Sequence, residues 1–135
     1  MTSDCNVEVQ LELDLAMPEN PKAIYGRAKP SLALFPSAAL IECAGVFEGG
    51  ANKYGLANWR KDAVESMTYM NAALRHIFKW IDGSNVDEES SQHELAHAIA
   101  CLAIVIDAQQ VNKLIDDRPN RGNAKNHLAA RTKSI

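Results

Sequence analysis

The sequence lacks any long apolar run. No uninterrupted apolar segment of its 135 residues approaches the roughly 20 that a helix needs to cross a bilayer. Residues 1–5 also lack the basic and then apolar order of a secretory signal. We therefore expect a cytoplasmic protein that has no membrane partner.

Cysteine is scarce, and no sign of charge dominates. The three cysteines, Cys5, Cys43 and Cys101, are odd in number and far apart, and we interpret them as buried thiols. The net charge of −3 gives no overall electrostatic reason to bind a nucleic acid polymer. An anionic ligand must therefore meet a local basic site.

The chain is long enough for one globular domain with its own core, although a chain of this size gains stability by oligomerisation. Apolar residues alternate with polar ones over residues 7–15, which predicts one strand with an acidic outer face. No second clear strand follows, so we expect this strand to pair with a short irregular segment or with its copy in another subunit. The protein is accordingly predicted to be a homo-oligomer, a dimer or a tetramer.

Three helices are predicted after a Pro- and Gly-containing connector at residues 17–33. The first runs from about Pro36 to Glu48, where Gly49-Gly50 ends it, with an inner stripe of Leu40, Ile41, Ala44 and Phe47. The second begins with a capping box at residues 62–65 and ends before Asp82-Gly83. The third begins near Ser91 and is apolar on every side, which predicts a helix buried all round.

The chain thus divides into three predicted parts. Residues 1–33 hold the strand and connector, residues 34–116 form a helical domain that carries the candidate catalytic residues discussed below, and residues 117–135 are expected to form a basic, mobile tail without periodicity. The fold class is all-α, a helical bundle with a short N-terminal strand.

Residues 93–97 read His-Glu-Leu-Ala-His, the spacing of a zinc peptidase helix. In that interpretation His93 and His97 bind zinc and Glu94 is the general base. A peptidase also needs a third ligand and a cleft for an extended peptide, and neither is evident in so short a chain. Three alternatives stay open for these residues: a peptidase, a carboxylate di-metal redox bundle and a non-catalytic assembly module.

Polar groups on the apolar third helix need partners, because an unpaired buried polar group costs about 1–3 kcal/mol. Glu42 and Glu48 on the first helix and Arg75 and His76 on the second are the candidates, and a carboxylate and imidazole cluster suits a divalent metal. In a second interpretation, Ser91 and Glu94 form only a capping box.

The segment between the first two helices, residues 49–61, is rich in glycine and basic residues. Lys53, Arg60 and Lys61 can bind phosphates while Tyr54 or Trp59 stacks on a base, which predicts a nucleotide site. Alternatively, the two aromatic side chains plug the end of the bundle and the cations are solvated.

An ordered series of residues resembles the phage dATP/dGTP diphosphohydrolase family, which is related to the MazG-like all-α nucleoside triphosphate pyrophosphohydrolases. The series is Lys53-Tyr54-Gly55, Asn58-Trp59-Arg60, Ala73-Leu74-Arg75-His76, Gly83, Asp87, Glu89-Ser90, His93 and Leu95-Ala96-His97-Ala98. The resemblance implies a MazG-like, oligomeric enzyme that uses Mg²⁺ or Mn²⁺ to cleave a purine deoxynucleoside triphosphate to its monophosphate and pyrophosphate. The product dGMP would then feed 2-aminoadenine nucleotide synthesis in a phage, within the host cytoplasm.

The resemblance also implies roles for residues, with Glu94 and His97 in place of the Glu-x-x-Asp metal motif of MazG-like enzymes. The expected metal ligands are Glu42, Glu48, His76, Glu89, His93, Glu94 and His97. The expected substrate-binding residues are Lys53, Tyr54, Asn58, Trp59, Arg60 and Arg75. Glu94, His97 and Glu48 are the expected catalytic residues, and Glu94, Glu48 or a hydroxide held by the metal could serve as the base.

Overall fold

The computed structural model of the chain describes residues 17–119 and 122–135. The strand predicted at residues 7–15 and Cys5 lie outside the described residues. The chain forms two compact units, which divide between Pro36 and Ser37.

The described part of the first unit contains one short helix and one 3₁₀ turn. Helix α1 covers Pro21–Arg27, and the Asn20 side chain accepts the Lys22 N–H at 2.9 Å at its start. A 3₁₀ turn follows at Leu32–Leu34. The segment predicted to be a connector therefore contains two helical elements.

The second unit is mostly helical, as the all-α prediction requires. Its elements are α2 (Ser37–Tyr54), a 3₁₀ turn (Asn58–Arg60), β1 (Val64–Glu65), α3 (Ser66–Ile81), α4 (Glu94–Gln110), β2 (Leu114–Ile115) and α5 (Ala124–Arg131). Helix α4 packs against both α2 and α3. The two short strands are parallel, with Val64 opposite Leu114. None of the described helices is long and apolar enough to cross a membrane.

Helix α2 begins after Pro36 as predicted, but its predicted end and inner face are wrong. It continues through Gly49-Gly50 to Tyr54 and stops at Gly55, whose φ of 93° favours glycine. Leu40, Ile41 and Ala44 are exposed and Phe47 is half-buried, whereas Cys43 is buried. The helix is therefore rotated relative to the predicted stripe.

Helix α3 begins at Ser66, and the capping box predicted at residues 62–65 is wrong. The side chain of Asp117 caps this helix instead, because its Oδ1 accepts hydrogen bonds from Ser66 Oγ at 2.7 Å and from the Met67 N–H at 2.8 Å. The helix ends at Ile81, before Asp82-Gly83, as predicted.

Helix α4 begins later than predicted and is not buried all round. His93 is its N-cap, with Nδ1 accepting the Leu95 N–H at 3.1 Å, so the predicted Ser91 capping box is wrong. The buried residues of α4 are Glu94 and four alanines, while Ile106 is 63% exposed. Small side chains at the buried positions let α4 lie close to α2 and α3, the helices against which it packs.

The tail predicted to lack periodicity contains a helix, α5 (Ala124–Arg131). The two cysteines among the described residues are both free. Cys43 is buried, as predicted, and Cys101 is half-buried. Burial raises the pKa of both thiols, so neither is a reactive thiolate at neutral pH.

Candidate metal centre

Three side chains from different segments meet beside the N-terminus of α4. His76 lies on α3, Glu94 begins α4, and Asp87 lies in the loop that joins these helices. His76 Nδ1 is 2.5 Å from Glu94 Oε2, and one nitrogen or oxygen atom from each of the three residues lies within 4.8 Å of the others. This group, His76, Asp87 and Glu94, is called the acidic triad below.

The loop that carries Asp87 is closed by backbone hydrogen bonds. Val86 and His93 form an antiparallel bridge, and the Glu94 N–H donates to the Asn85 carbonyl at 3.0 Å. The Asp87 N–H also donates to the Gln92 carbonyl at 2.8 Å. These bonds bring Asp87 next to α4 even though the loop has no long regular element.

Asp87 is held as a carboxylate. Its Oδ2 accepts the Ser90 N–H at 2.9 Å and the Ser90 hydroxyl at 2.8 Å. The hydrogen bond from the Ser90 N–H lowers the pKa of Asp87 most, and the Ser90 hydroxyl and Lys79 lower it further. The pKa is about 2, although burial alone would raise it. Asp87 is therefore an anion throughout the physiological range.

His97 lies against the acidic triad. Its ring stacks on that of His76, with centroids 4.4 Å apart and planes 9° from parallel. Its Nε2 is 2.6 Å from the Ser90 oxygen. Because the Ser90 hydroxyl donates to Asp87, Nε2–H of His97 is assigned as the donor to Ser90. Burial, with the neighbouring His76, lowers the pKa of His97, so this ring is neutral at neutral pH.

The acidic triad suits a divalent cation. Glu94 is 1% exposed; its Oε2 lies 2.5 Å from His76 Nδ1, and its Oε1 lies 3.5 Å from Ser84 Oγ and 3.9 Å from Lys79 Nζ. A buried carboxylate needs a close positive partner, because an uncompensated buried charge is strongly unfavourable. Two carboxylates and one imidazole match the ligands that divalent metals use, so the residues fit such an ion.

The predicted metal ligands divide into two groups. His76, Glu94 and His97 come together. Glu89 lines a groove of about 440 Å³ that Glu94 also lines. The groove is lined by Lys79, Asp82, Ser84, Asp87, Glu88, Glu89 and Glu94. Glu42 and Glu48 are exposed on α2 and are not in the acidic triad. His93 is the N-cap of α4 and is also outside the triad.

Two of the predicted substrate-binding residues, Trp59 and Arg60, form hydrogen bonds with Asp107. Asp107 on α4 accepts Trp59 Nε1 at 2.6 Å and the Arg60 guanidinium at 2.7 and 2.9 Å. The Trp59 ring also contacts Phe47, at 5.6 Å between centroids. The structure thus gives Trp59 the packing role that was the alternative interpretation. We call the pairing of Trp59 and Arg60 with Asp107 the α4 clamp.

The other predicted substrate-binding residues, Lys53, Tyr54, Asn58 and Arg75, are not part of the α4 clamp. Lys53 and Tyr54 are exposed at the end of α2, with the ammonium 5.2 Å from the Tyr54 ring centroid. The neighbouring Tyr54 side chain is the main cause that raises the pKa of Lys53, and the charge of Glu89 raises it further. Lys53 is therefore a cation. Arg75 is exposed on α3, and Asn58 begins the 3₁₀ turn.

Four residues of the site were missed as ligands or contacts: Lys79, Asp87, Ser90 and Asp107. Asp87 and Ser90 occur in the ordered series that carries the family resemblance, which was a usable signal. Lys79 follows His76 by three residues and so shares its helical face. Asp107 interrupts an apolar helix, but nothing in its local sequence identifies Arg60, 47 residues away, as its partner.

Comparison with known proteins places these residues in one family. The family model "dATP/dGTP diphosphohydrolase, N-terminal" matches residues 19–118. A protein of Salmonella phage PMBT28 named dATP/dGTP diphosphohydrolase is 29% identical over 94 residues, which cover 70% of this chain and 32% of that protein. The chain thus spans about a third of the length of this curated relative. No solved structure matches the chain significantly.

Proposed function

Because the chain belongs to the dATP/dGTP diphosphohydrolase N-terminal family, we propose that it hydrolyses dGTP or dATP to the monophosphate and pyrophosphate. The observation that carries this proposal is the acidic triad, whose two carboxylates, Asp87 and Glu94, line a groove of about 440 Å³. Hydrolysis of a triphosphate depends on positioning and on neutralising phosphate charge, which a carboxylate-held cation performs.

Mg²⁺ or Mn²⁺ is the proposed cation, held by Asp87, Glu94 and His76. Carboxylate oxygens suit both ions, and the single imidazole nitrogen is a ligand that Mn²⁺ also accepts. When bound, such an ion screens the triphosphate and lowers the pKa of a coordinated water.

Glu94, His97 and Glu48 are proposed to have three different roles in the reaction. Glu94 is proposed as a ligand rather than the base, because its carboxylate is buried against His76. His97 is proposed to orient Asp87 through the Ser90 hydroxyl. Glu48 remains the candidate base: it follows Gly45 by one turn, and a Cβ at Gly45 would collide with Gln92 in the loop of the acidic triad. Glu48 would accept the proton as water attacks the α-phosphorus and pyrophosphate leaves.

Exposed groups at the end of α2 and on α3 are proposed to bind the nucleotide. Lys53 and Arg75 carry charges that can meet phosphate oxygens, and Tyr54 presents an exposed ring to the base. Asn58, Trp59 and Arg60 would then act by shaping the loop, because the α4 clamp already holds two of them. With dGTP as substrate, the dGMP produced could supply 2-aminoadenine nucleotide synthesis in a phage.

The zinc peptidase interpretation loses its geometric basis. It requires His93 and His97 to share one face inside a helix, yet His93 is the N-cap and its Nδ1 accepts a backbone N–H. Its proposed base, Glu94, is the most buried member of the acidic triad. A non-catalytic assembly module would not need two carboxylates converging on one imidazole.

Product analysis tests the proposal directly. The protein is incubated with each dNTP and rNTP and with Mg²⁺ or Mn²⁺, and the products are resolved by ion exchange. We expect monophosphate and pyrophosphate from dGTP or dATP, a loss of at least about a hundredfold in Glu94→Gln, and no change in the exposed control Glu65→Gln. Absence of turnover by the folded, metal-supplied protein with every nucleotide would reject the proposed function.

A further inference from the structure

We propose that Lys79 is an exchangeable cation of the acidic triad. Its ammonium balances Asp87 and Glu94 until a divalent cation binds, and it then turns to the phosphates of the substrate. This inference rests on the proposed function and gives a role to a residue that the family resemblance does not include.

The position of the ammonium supports the exchange. Lys79 lies one turn after His76 on α3, and its Nζ is 3.2 Å from Asp87 Oδ1 and 3.9 Å from Glu94 Oε1. These two carboxylates are also the anionic members of the acidic triad. The ammonium therefore lies beside the charges that a divalent cation would use.

A divalent cation and the ammonium cannot both remain close to these carboxylates without repulsion. Like charges about 4 Å apart repel strongly where water is partly excluded. Lys79 has more freedom to move than Glu94, because the Lys79 side chain is 52% exposed and the Glu94 side chain is 2% exposed. Lys79 is therefore the group that leaves, since its long stem can place the ammonium elsewhere.

The charges that line the groove explain why the displaced Lys79 ammonium would bind the phosphates of the substrate. Of the seven residues that line this groove in the described part of the chain, five are acidic and Lys79 is the single cation. A triphosphate entering the groove would be repelled by Asp82, Glu88 and Glu89 unless cations face it. Released Lys79 supplies such a cation from the groove wall and provides three hydrogen-bond donors.

The proposal predicts opposite effects of one substitution on two ligands. In Lys79→Met, the metal-free protein should bind Mn²⁺ about tenfold more tightly, because the competing charge is gone. The same variant should bind α,β-methylene-dGTP about tenfold more weakly in saturating Mn²⁺. A lysine that only stabilises the loop would weaken binding of both ligands.

Isothermal titration calorimetry at pH 8 measures both affinities with the full chain, and circular dichroism checks folding. Lys125→Met on α5 removes the same charge far along the chain and should change neither affinity. Lys79→Gln repeats the test with a polar side chain, in case the methionine variant does not fold.

Each outcome decides between the inference and the proposed function. Unchanged or weaker Mn²⁺ binding in both Lys79 variants overturns the inference while leaving the proposed function in place, provided that wild type binds Mn²⁺ and the analogue. If the wild-type protein binds neither Mn²⁺ nor Mg²⁺, both are overturned. Tighter Mn²⁺ binding with unchanged analogue binding rejects the phosphate-binding half of the inference.

Discussion

Asp87 shows how much a single residue depends on its surroundings. Ser90 provides two of its hydrogen bonds and Lys79 a third. Together they hold a buried carboxylate ionised and aimed at His76 and Glu94. The two Ser90 contacts thus orient the aspartate before any ion arrives, which reduces the reorganisation of this carboxylate that binding requires.

This arrangement predicts an acid-sensitive contribution to stability. The pKa of Asp87 falls from 3.8 to about 2 on folding, so the unfolded chain takes up its proton first as the pH decreases. The stabilisation is complete above about pH 4 and is lost as the pH falls through 2. Urea unfolding of metal-free wild type and Asp87→Asn at pH 5, 4, 3 and 2 should show the wild-type advantage shrinking.

The comparison with Asp87→Asn isolates this residue, because Asp107 and Asp117 also have lowered pKa values and contribute to acid sensitivity in both proteins. A difference between the two proteins that stays constant from pH 5 to 2 would show that Asp87 does not titrate in this way.

At the scale of elements, the α4 clamp joins the loop after α2 to the C-terminal end of α4. Arg60 binds Asp107 through two parallel hydrogen bonds, a geometry that restrains the guanidinium more than a single contact does. Trp59 adds its indole N–H to the same carboxylate and its ring to Phe47. The 3₁₀ turn is therefore fixed by contacts with other elements.

Loss of the α4 clamp should release this loop. In Asp107→Asn we expect faster tryptic cleavage after Arg60 and Lys61, with little change in far-ultraviolet circular dichroism, because α2, α3 and α4 do not depend on the clamp for their backbone hydrogen bonds. Mass spectrometry of the early fragments measures the effect.

Asp116→Asn is a matched control, since Asp116 makes a similar two-point contact with exposed Arg118 at 2.8 and 2.6 Å. It should leave cleavage after Arg60 unchanged. Equal cleavage of all three proteins at this loop would show that the clamp does not restrain it.

The element scale also shows what the sequence could and could not predict. Helices α2, α3 and α4 were predicted because their apolar residues persist over several turns. The predicted end of α2 was wrong because Gly49-Gly50 only lowers helix propensity, and the packing of α2 on α4 outweighs that preference. The predicted start of α3 was wrong because its cap, Asp117, lies some 50 residues away.

The candidate site was predictable in its residue types and only partly in its geometry. His76, Glu94 and His97 were predicted, since an imidazole or carboxylate in an apolar helix needs a partner. The loop contacts of Asp87 were not, because its position follows from a two-residue bridge, Val86 with His93, that no periodicity reveals. The β1–β2 pair escaped prediction for the same reason.

At the scale of the whole molecule, the second unit buries little apolar volume. The fully buried apolar side chains of the described residues are one valine, one cysteine and five alanines. Several large side chains on its three main helices are exposed instead, including Ile41, Phe78 and Ile106. Exposed apolar surface of this extent is typical of subunits that associate.

We therefore predict a homo-oligomer, a dimer or a tetramer, that covers the outer face of α4. Leu102 and Ile106 are one turn apart on this face, and both are exposed. Size-exclusion chromatography with light scattering should show the oligomer for wild type and smaller species for Ile106→Glu. Asn126→Glu adds the same charge at an exposed position on α5 and should keep the wild-type mass.

A monomeric wild-type protein at micromolar concentration would contradict this prediction, as would an Ile106→Glu variant of unchanged mass. Circular dichroism of the smaller species distinguishes dissociation from unfolding.

The buried alanines of α3 and α4 also limit which substitutions this chain can accept. Ala73, Ala96, Ala98 and Ala100 are each at most 4% exposed. A larger side chain there would force the helices apart at a cost of about 1–3 kcal/mol, and the only smaller choice is glycine, which weakens a helix. Accepted substitutions should therefore accumulate on the outward faces, so that related proteins change what they present to their surroundings while the spacing between His76 and Glu94 is inherited.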